Sequence, residues 1–245
     1  MKNLVIIPTY NEKENIENII NSIYSLPMHI DILIIDDNSP DKTYEIIKNL
    51  QQKYSQNSLN LIKREGKLGL GTAYITGFKW ALNNNYDYIC EMDADFSHNP
   101  NDLVRLIDAC QSKGADLAIG SRYISGVNVV NWPIGRVLMS YFASVYVRFV
   151  TRMPIRDTTA GFKCYTRKVL ESINLDKVKL KGYAFQIEMK FTTWKMGFNI
   201  VEIPIIFTDR KNGTSKMSGG IFSEAILGII KMKIRSFFRN YHLSN

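Results

Sequence analysis

Cysteine is scarce in this sequence: Cys90, Cys110 and Cys164 are its only three, widely spaced and with no CxxC pair among them. That argues against a disulfide framework or a thiolate zinc site and makes a reducing cytosol the default. Also absent is any run of the roughly 18 apolar residues that a membrane span requires. The nearest stretches are 137–150 (VLMSYFASVYVRFV), which holds Arg148, and 221–238 (IFSEAILGIIKMKIRSFF), which holds Glu224, Lys231, Lys233 and Arg235. Neither spans a bilayer, although either could lie on one. Met1 leads almost directly into a strand, so no signal peptide is expected. No RNP-type aromatic signature, zinc finger or helix-turn-helix is present, so nucleic acid is not an expected partner. The net charge of +8 fits a phosphorylated ligand or an acidic lipid surface better, or a basic bias without functional meaning.

What remains is a composition ordinary for a globular chain of 245 residues, 45% apolar and 22% charged, enough for one large domain or one domain with an appendage. LVIIP (4–8), IDILIIDD (30–37), LNLIKR (59–64), YDYICEMD (86–93) and ADLAIGS (115–121) read as strands. Between them, apolar residues recur at helical spacing: Ile16, Ile19, Ile20 and Ile23; Ile46, Ile47 and Leu50; Leu103, Leu106, Ile107 and Cys110. Asn11 with Glu14 three residues on predicts a capping box that starts the first helix. KLGLGT (67–72) predicts a turn opening a helix through Trp80; it lacks the Lys-Ser/Thr ending of a phosphate loop. The alternation predicts an α/β fold, a Rossmann-like, mostly parallel sheet flanked by helices. Beyond residue 122 the rhythm stops. A helix near 184–196, a strand at 200–207 (IVEIPIIF) and a basic amphipathic tail then follow, with no linker to set them apart.

Ligands of such sheets bind at the carboxyl ends of the strands. Asp36 and Asp37 end the second strand, and Asp93 and Asp95 the fourth. A single aspartate at a strand exit is ordinarily a turn or cap residue; two acidic clusters on one rim point to a site. Carboxylates two residues apart on an extended chain lie about 6–7 Å apart and repel one another unless a cation offsets them. Mg²⁺ or Mn²⁺ does so, taking one or two carboxylates and completing its shell with phosphate oxygens.

PTYNEKENI (8–16), IIDDNSPDKT (34–43), EMDADFSHNP (91–100), IGSRY (119–123), TAGFK (159–163) and DRKNGTSKMS (209–218) resemble, in order, the motifs of the family-2 glycosyltransferases of GT-A fold. Within them the chain is similar to the dolichol- and polyprenol-phosphate mannosyltransferases. The resemblance runs from about residue 4 to residue 220. It implies a GT-A domain over 1–216 and a basic amphipathic C-terminal helix and tail over 217–245, with no transmembrane span. It further implies inverting transfer of mannose from GDP-mannose to a polyprenyl or dolichyl phosphate, assisted by Mg²⁺ or Mn²⁺. Pro8, Tyr10, Glu12, Ile35, Asp37, Asp93, Ala94, Asp95, Ser97, Arg122, Arg210 and Lys216 would then hold the donor. Asp93 and Asp95 would hold the metal, and Asp95, Arg122, Arg210 and Lys216 would be catalytic. Arg122, Arg136 and Ser140 would face the acceptor phosphate. Ser97 stands where relatives have a metal-assisting glutamine, and Tyr141 where a basic residue is common.

An acceptor phosphate is largely a dianion at neutral pH and already nucleophilic, so it needs positive positioning rather than a base. A hydroxyl acceptor would need a carboxylate, and Asp157 or Glu188 could supply one; otherwise they are a loop anchor and a structural ion pair. His98 is a metal ligand or, more ordinarily, a turn residue; Lys67 could lie near the donor; Trp80 and Trp194 are expected to pack. Two other readings keep the fold. One uses a UDP-sugar as donor, with a polyprenyl phosphate or an envelope glycan hydroxyl as acceptor. The other is a non-catalytic sugar-nucleotide-binding subunit of a membrane complex. The implied location is peripheral, on the cytoplasmic face of a membrane, either by a basic amphipathic helix over 221–240 or through a membrane-anchoring partner protein.

Overall fold

A computed structural model describes residues 1–54, 58–180, 182–209, 220–239 and 241. Strands β1 (Asn3–Thr9), β2 (Asp31–Asp36), β3 (Leu59–Lys63), β4 (Tyr88–Glu91) and β5 (Leu117–Ser121) alternate with helices α1 (Ile16–Tyr24), α2 (Thr43–Lys53), α3 (Leu70–Asn83) and α4 (Asp102–Gln111). Side chains alternate across the sheet as the period of two requires. Leu4, Ile6, Leu33 and Ile35 pack on one face with Tyr74 and Phe78 of α3; Val5, Ile7, Ile32 and Ile34 pack on the other with α1 and α4. All six residues of β2 are buried, as a sheet covered on both faces demands. Trp80 and Trp194 pack against the first of these clusters.

The rest of the chain comprises β6 (Val129–Val130), α5 (Ile134–Thr151), β7 (Lys163–Thr166), α6 (Arg167–Ser172), α7 (Gly182–Lys195), β8 (Ile200–Pro204), β9 (Phe207–Thr208) and α8 (Gly220–Arg235). Among the described residues the main sheet has seven strands, in the order β3-β2-β1-β4-β7-β5-β8. All its pairings are parallel except those of β7, which runs antiparallel between β4 and β5.

Three expectations are corrected here. The helix does not begin at Asn11. That residue takes a left-handed φ of 56°, and its N–H bonds Ser39 Oγ, while the Lys13 N–H bonds Asp41. These long-range bonds claim the segment, and the helix starts only at Ile16. The stretch after residue 122 supplies a central strand, β7. The IVEIPIIF run divides after Pro204: Ile205 still donates to Ser121, but β9 leaves the main sheet to pair with β6. The boundary expected near 216–217 lies outside the described residues.

The topology assembles the site. The carboxyl ends of β1, β2, β4 and β5 lie on one rim, and β7, running the other way, enters the sheet at that rim. Its approach, Thr159–Gly161, therefore joins the loops that follow the parallel strands.

Candidate active site

A cavity of about 1000 Å³ opens on this rim. Of the residues expected to hold donor, metal and acceptor, Pro8, Tyr10, Glu12, Asp37, Asp93, Ala94, Asp95, Ser97, Arg122, Arg136 and Ser140 all line it, as do Lys67 and His98. Ile35 does not; its side chain points into the core. Arg210 and Lys216 lie outside the described residues. Asp157 and Glu188 are both buried and are not among the lining residues.

At the second strand exit the two acids divide their work. Asp36, fully buried, accepts from Thr9 Oγ1 at 3.0 Å and from the Ser39 N–H and Oγ at 3.1 and 2.5 Å, closing the turn. Asp37 faces the cavity and is gripped from behind by Arg64, whose Nε lies 2.5 Å from Asp37 Oδ1. The same guanidinium donates to Thr72 Oγ1 at 2.7 Å and to the Gly69 carbonyl at 3.2 Å. Arg64 thus ties Asp37 to the KLGLG turn, where Gly69 takes a φ of 97° that suits glycine. Lys67 from that turn lies over the Tyr10 ring at 4.8 Å.

At the fourth strand exit the chain stores strain. Phe96 sits at φ 59°, a conformation that costs a bulky residue on the order of 1 kcal/mol. The Ser97 N–H bonds Asp95 Oδ1 at 3.1 Å and helps fix the turn. Asp95 is buried against the cavity wall, while Asp93 is the more open of the two. His98 stacks on Phe162 (centroids 4.8 Å apart) and meets Phe207 edge-on. Its Nδ1 stands 3.9 Å from Asp93. Burial, opposed by nearby Asp95, holds the imidazole neutral by pushing its pKa down to about 4. Packing, rather than a turn, explains this histidine.

The donor set fits a hard divalent ion in one particular way. Among the described residues no group of three His, Cys, Asp or Glu side chains forms a protein cage. Asp93 and Asp95 offer two carboxylates to a shared cavity, the arrangement that leaves remaining positions to phosphate oxygens and water.

Beside the carboxylates stands a cationic group. Arg122 donates to Asp157 three times, from its backbone N–H at 2.9 Å and from Nε and Nη2 at 2.7 Å each. Nη2 also reaches Thr159 Oγ1 at 2.8 Å. Burial pushes the Asp157 carboxyl up, but the Arg122 charge and hydrogen bonds outweigh it and hold it below 3.8. Trp132 lies between two guanidiniums, its ring 5.6 Å from Arg122 and 4.0 Å from Arg136. Arg136 is further held by Asp209 at 2.7 Å. Glu188 accepts from the N–H groups of Lys179 and Leu180 at 2.9 and 2.7 Å, so it anchors backbone rather than a side-chain cation.

The buried charges behind the wall escaped the sequence reading. Lys163 pairs with Glu91 at 3.0 Å, both fully buried, and Gln186, which lines the cavity, donates to the same Glu91 oxygen at 2.7 Å. Lys190, one helical turn beyond Gln186, donates to the Ala160 carbonyl at 2.6 Å and fixes the loop that holds Arg122. Lys163 ends the TAGFK stretch and Glu91 begins EMDADFSHNP, but nothing in either motif marks the two as a buried pair. Apolar side chains also line the cavity, among them Met139, Phe142 and Tyr146 of α5 and Ile226 and Ile229 of α8.

The sequence pattern of the family described as "Glycosyl transferase family 2" matches residues 4–173. The chain belongs to this family. It is therefore a glycosyltransferase, and the mostly parallel sheet flanked by helices is a GT-A fold. It is 45% identical over 234 residues to a polyprenol monophosphomannose synthase of Mycolicibacterium smegmatis, covering 96% of this chain and 88% of that one. It is 42% identical over 231 residues to an undecaprenyl-phosphate mannosyltransferase of Micrococcus luteus, covering 94% and 93%. The fold also matches a crystal structure of glucosyl-3-phosphoglycerate synthase from Mycobacterium tuberculosis at 17% identity and a TM-score of 0.67, covering 96% of this chain and 79% of that one; that enzyme was solved with Mn²⁺, UDP and glucosyl-3-phosphoglycerate.

Proposed function

We propose that this glycosyltransferase moves mannose from GDP-mannose to a polyprenyl phosphate, with inversion at the anomeric carbon. One observation carries the reading: a single cavity is lined by the paired carboxylates Asp93 and Asp95, by Arg122 and Arg136, and by apolar side chains of α5 and α8. Those three kinds of surface match a metal-bound nucleotide diphosphate, a second phosphate and a hydrocarbon chain. The relatives' names point to mannose and to a polyprenyl acceptor.

In this reading Asp37, braced by Arg64, bonds the base or ribose, and Tyr10 and Glu12 complete the nucleotide pocket. Asp93 and Asp95 would hold Mg²⁺ or Mn²⁺, which when bound supplies Lewis-acid neutralisation of the leaving diphosphate. Arg122 and Arg136 orient the acceptor phosphate, and fixed charge of this kind is commonly the largest catalytic contribution. Arg210 and Lys216 join the phosphate-binding set. A phosphate acceptor suits the carboxylates better than a hydroxyl would. Asp157 is committed to Arg122 and Glu188 to backbone amides, so neither is placed to take a proton. The enzyme works peripherally, on the cytoplasmic face of a membrane; among the described residues no helix is long and apolar enough to cross one.

The test is to incubate the protein with radiolabelled nucleotide sugars, polyprenyl phosphate and Mg²⁺ or Mn²⁺, then count label in the organic phase. Label from GDP-mannose is expected. Label from a UDP-sugar alone would move the donor assignment, and donor binding without transfer to any acceptor would leave a binding subunit.

A further inference from the structure

Two charges taken out of water need a reason, because apolar residues of like volume often hold a fold as well or better. β4 and β7 pair so that Glu91 lies opposite Lys163. Both side chains fall on the sheet face that carries Ile89 and Tyr165 two residues away, packed against α3 and α7. Both are fully buried. The effect of the pair falls on Gln186 of α7. Lys163 Nζ donates to Gln186 Oε1, and Gln186 Nε2 donates to Glu91 Oε2 at 2.7 Å. An ammonium only donates and a carboxylate only accepts, so the pair fixes which end of the amide is nitrogen and which is oxygen.

Gln186 is almost wholly buried, yet it lines the cavity. An amide nitrogen carries two hydrogens and its oxygen two lone pairs. Among the described residues the Gln186 side chain makes no other hydrogen bond. One N–H and one lone pair therefore remain for a group that enters the cavity. The space before the amide is open: a Cβ on Gly161, which also lines the cavity, would meet only Gln186 Nε2, at 3.8 Å. Glu91 stands two residues before Asp93, which would help hold the donor diphosphate through the metal. Gly161 stands two residues after Thr159, which receives a hydrogen bond from Arg122 Nη2 at 2.8 Å, and Arg122 would orient the acceptor phosphate. Between a leaving diphosphate and an attacking phosphate lies the transferred sugar. Its hydroxyls each donate and accept, and a fixed amide with one donor and one acceptor to spare matches them.

We propose that Gln186, oriented by the Lys163–Glu91 pair, hydrogen-bonds a hydroxyl of the transferred hexose and so helps set which sugar the enzyme accepts. This rests on the reading of the chain as a transferase that uses GDP-mannose and adds the residue that reads the sugar. Calorimetric titration of the full chain with Mn²⁺ and GDP, GDP-mannose or GDP-mannose lacking one hydroxyl at a time tests it. Wild type should bind one of the deoxy donors about tenfold less tightly than GDP-mannose, the worth of one hydrogen bond. Gln186→Met should bind GDP as wild type does and GDP-mannose about tenfold less tightly, and it should no longer distinguish GDP-mannose from that deoxy donor. A merely structural role would instead lower the affinity for every ligand alike. Gly161→Ala keeps the amide and fills the space before it without a clash, so it should reproduce the selective loss of GDP-mannose; it carries the test where the Met variant does not fold. No preference of wild type among the deoxy donors, an equal loss for GDP and all the sugars in Gln186→Met, or wild-type GDP-mannose affinity in either variant would overturn the role of Gln186. Selective binding of GDP-mannose with no label in any acceptor would overturn the transferase reading and leave Gln186 in place. Binding of a UDP-hexose instead of GDP-mannose would overturn the donor assignment, and the same titrations with that hexose and its deoxy forms would then decide Gln186.

Discussion

Replacing Asp157 with asparagine isolates the contact on which the cationic part of the site depends. The side chain is wholly buried and receives three hydrogen bonds from Arg122, which is itself buried beside Trp132 and Phe207. Asparagine keeps the shape but removes the negative charge that faces the buried Arg122 guanidinium. Breaking such a pair from one side costs about 3–5 kcal/mol. At about 2–4 °C per kcal/mol for a chain of this length, the midpoint should fall by roughly 10 °C. Urea unfolding at pH 7 should show the same loss as a lower midpoint with an unchanged slope. The sign with pH follows from the depressed Asp157 carboxyl. Its contribution is complete above the unfolded value near 4 and disappears as pH falls through the folded value, so wild type and variant should converge only below about pH 4. Arg122→Met in the Asp157→Asn background should cost much less than the sum of the two single changes, because the stranded charge goes with it. Turnover of the single variant should fall by about 10²–10³, the scale for losing a preorganised charge at the reacting phosphates. A midpoint shift under 2–3 °C, or additivity in the cycle, would refute this account of Arg122.

Asp95→Ala should abolish transfer while leaving the thermal midpoint within a few degrees of wild type, and it should remove the dependence of nucleotide binding on Mg²⁺ or Mn²⁺; near-normal turnover would remove Asp95 from the metal site. Arg64→Met should release Asp37 and weaken nucleotide binding about tenfold or more, the worth of one or two charge-assisted hydrogen bonds, with little change in turnover at saturating donor; calorimetric titration with GDP and a KM-against-kcat comparison would check it. His98, neutral in the fold with its pKa down to about 4, must be charged on unfolding below pH 6.5. Stability should therefore decline as pH drops from 6.5 towards 4, by about 3 kcal/mol from this residue, and unfolding of His98→Phe should lose that part of the slope.

The parallel half of the sheet was legible because fully buried strands must be written as unbroken apolar runs, and β2 is one. β7 was not, since KCYT is four residues long and opens with a lysine. Only the three-dimensional neighbour Glu91, 72 residues earlier, makes that lysine an inside residue. The same distance in sequence hid Arg64: it ends an ordinary strand, and nothing local marks its partner 27 residues before. Motif spacing located Asp93, Asp95 and Arg122 correctly on one rim, since they follow strand ends directly. Ile35 was misplaced because it still lies inside β2 with its side chain in the core, whereas Asp37 stands just past the end of that strand. The apolar content of 137–150 was plain from composition, but that Phe142 and Phe149 are exposed depends on what the sheet leaves uncovered.

Asp157 and Arg122 stand 35 residues apart, and their pairing closes the base of an excursion that leaves the rim after β5 and returns to it before β7. That bight, α5 included, is fixed at both ends to neighbouring strands and again along its length, where β6 pairs with β9, Arg136 with Asp209 and α5 with α8. A change of length inside it therefore has to be absorbed between these ties, while β1, β2 and β4 on the far side of β7 keep their register.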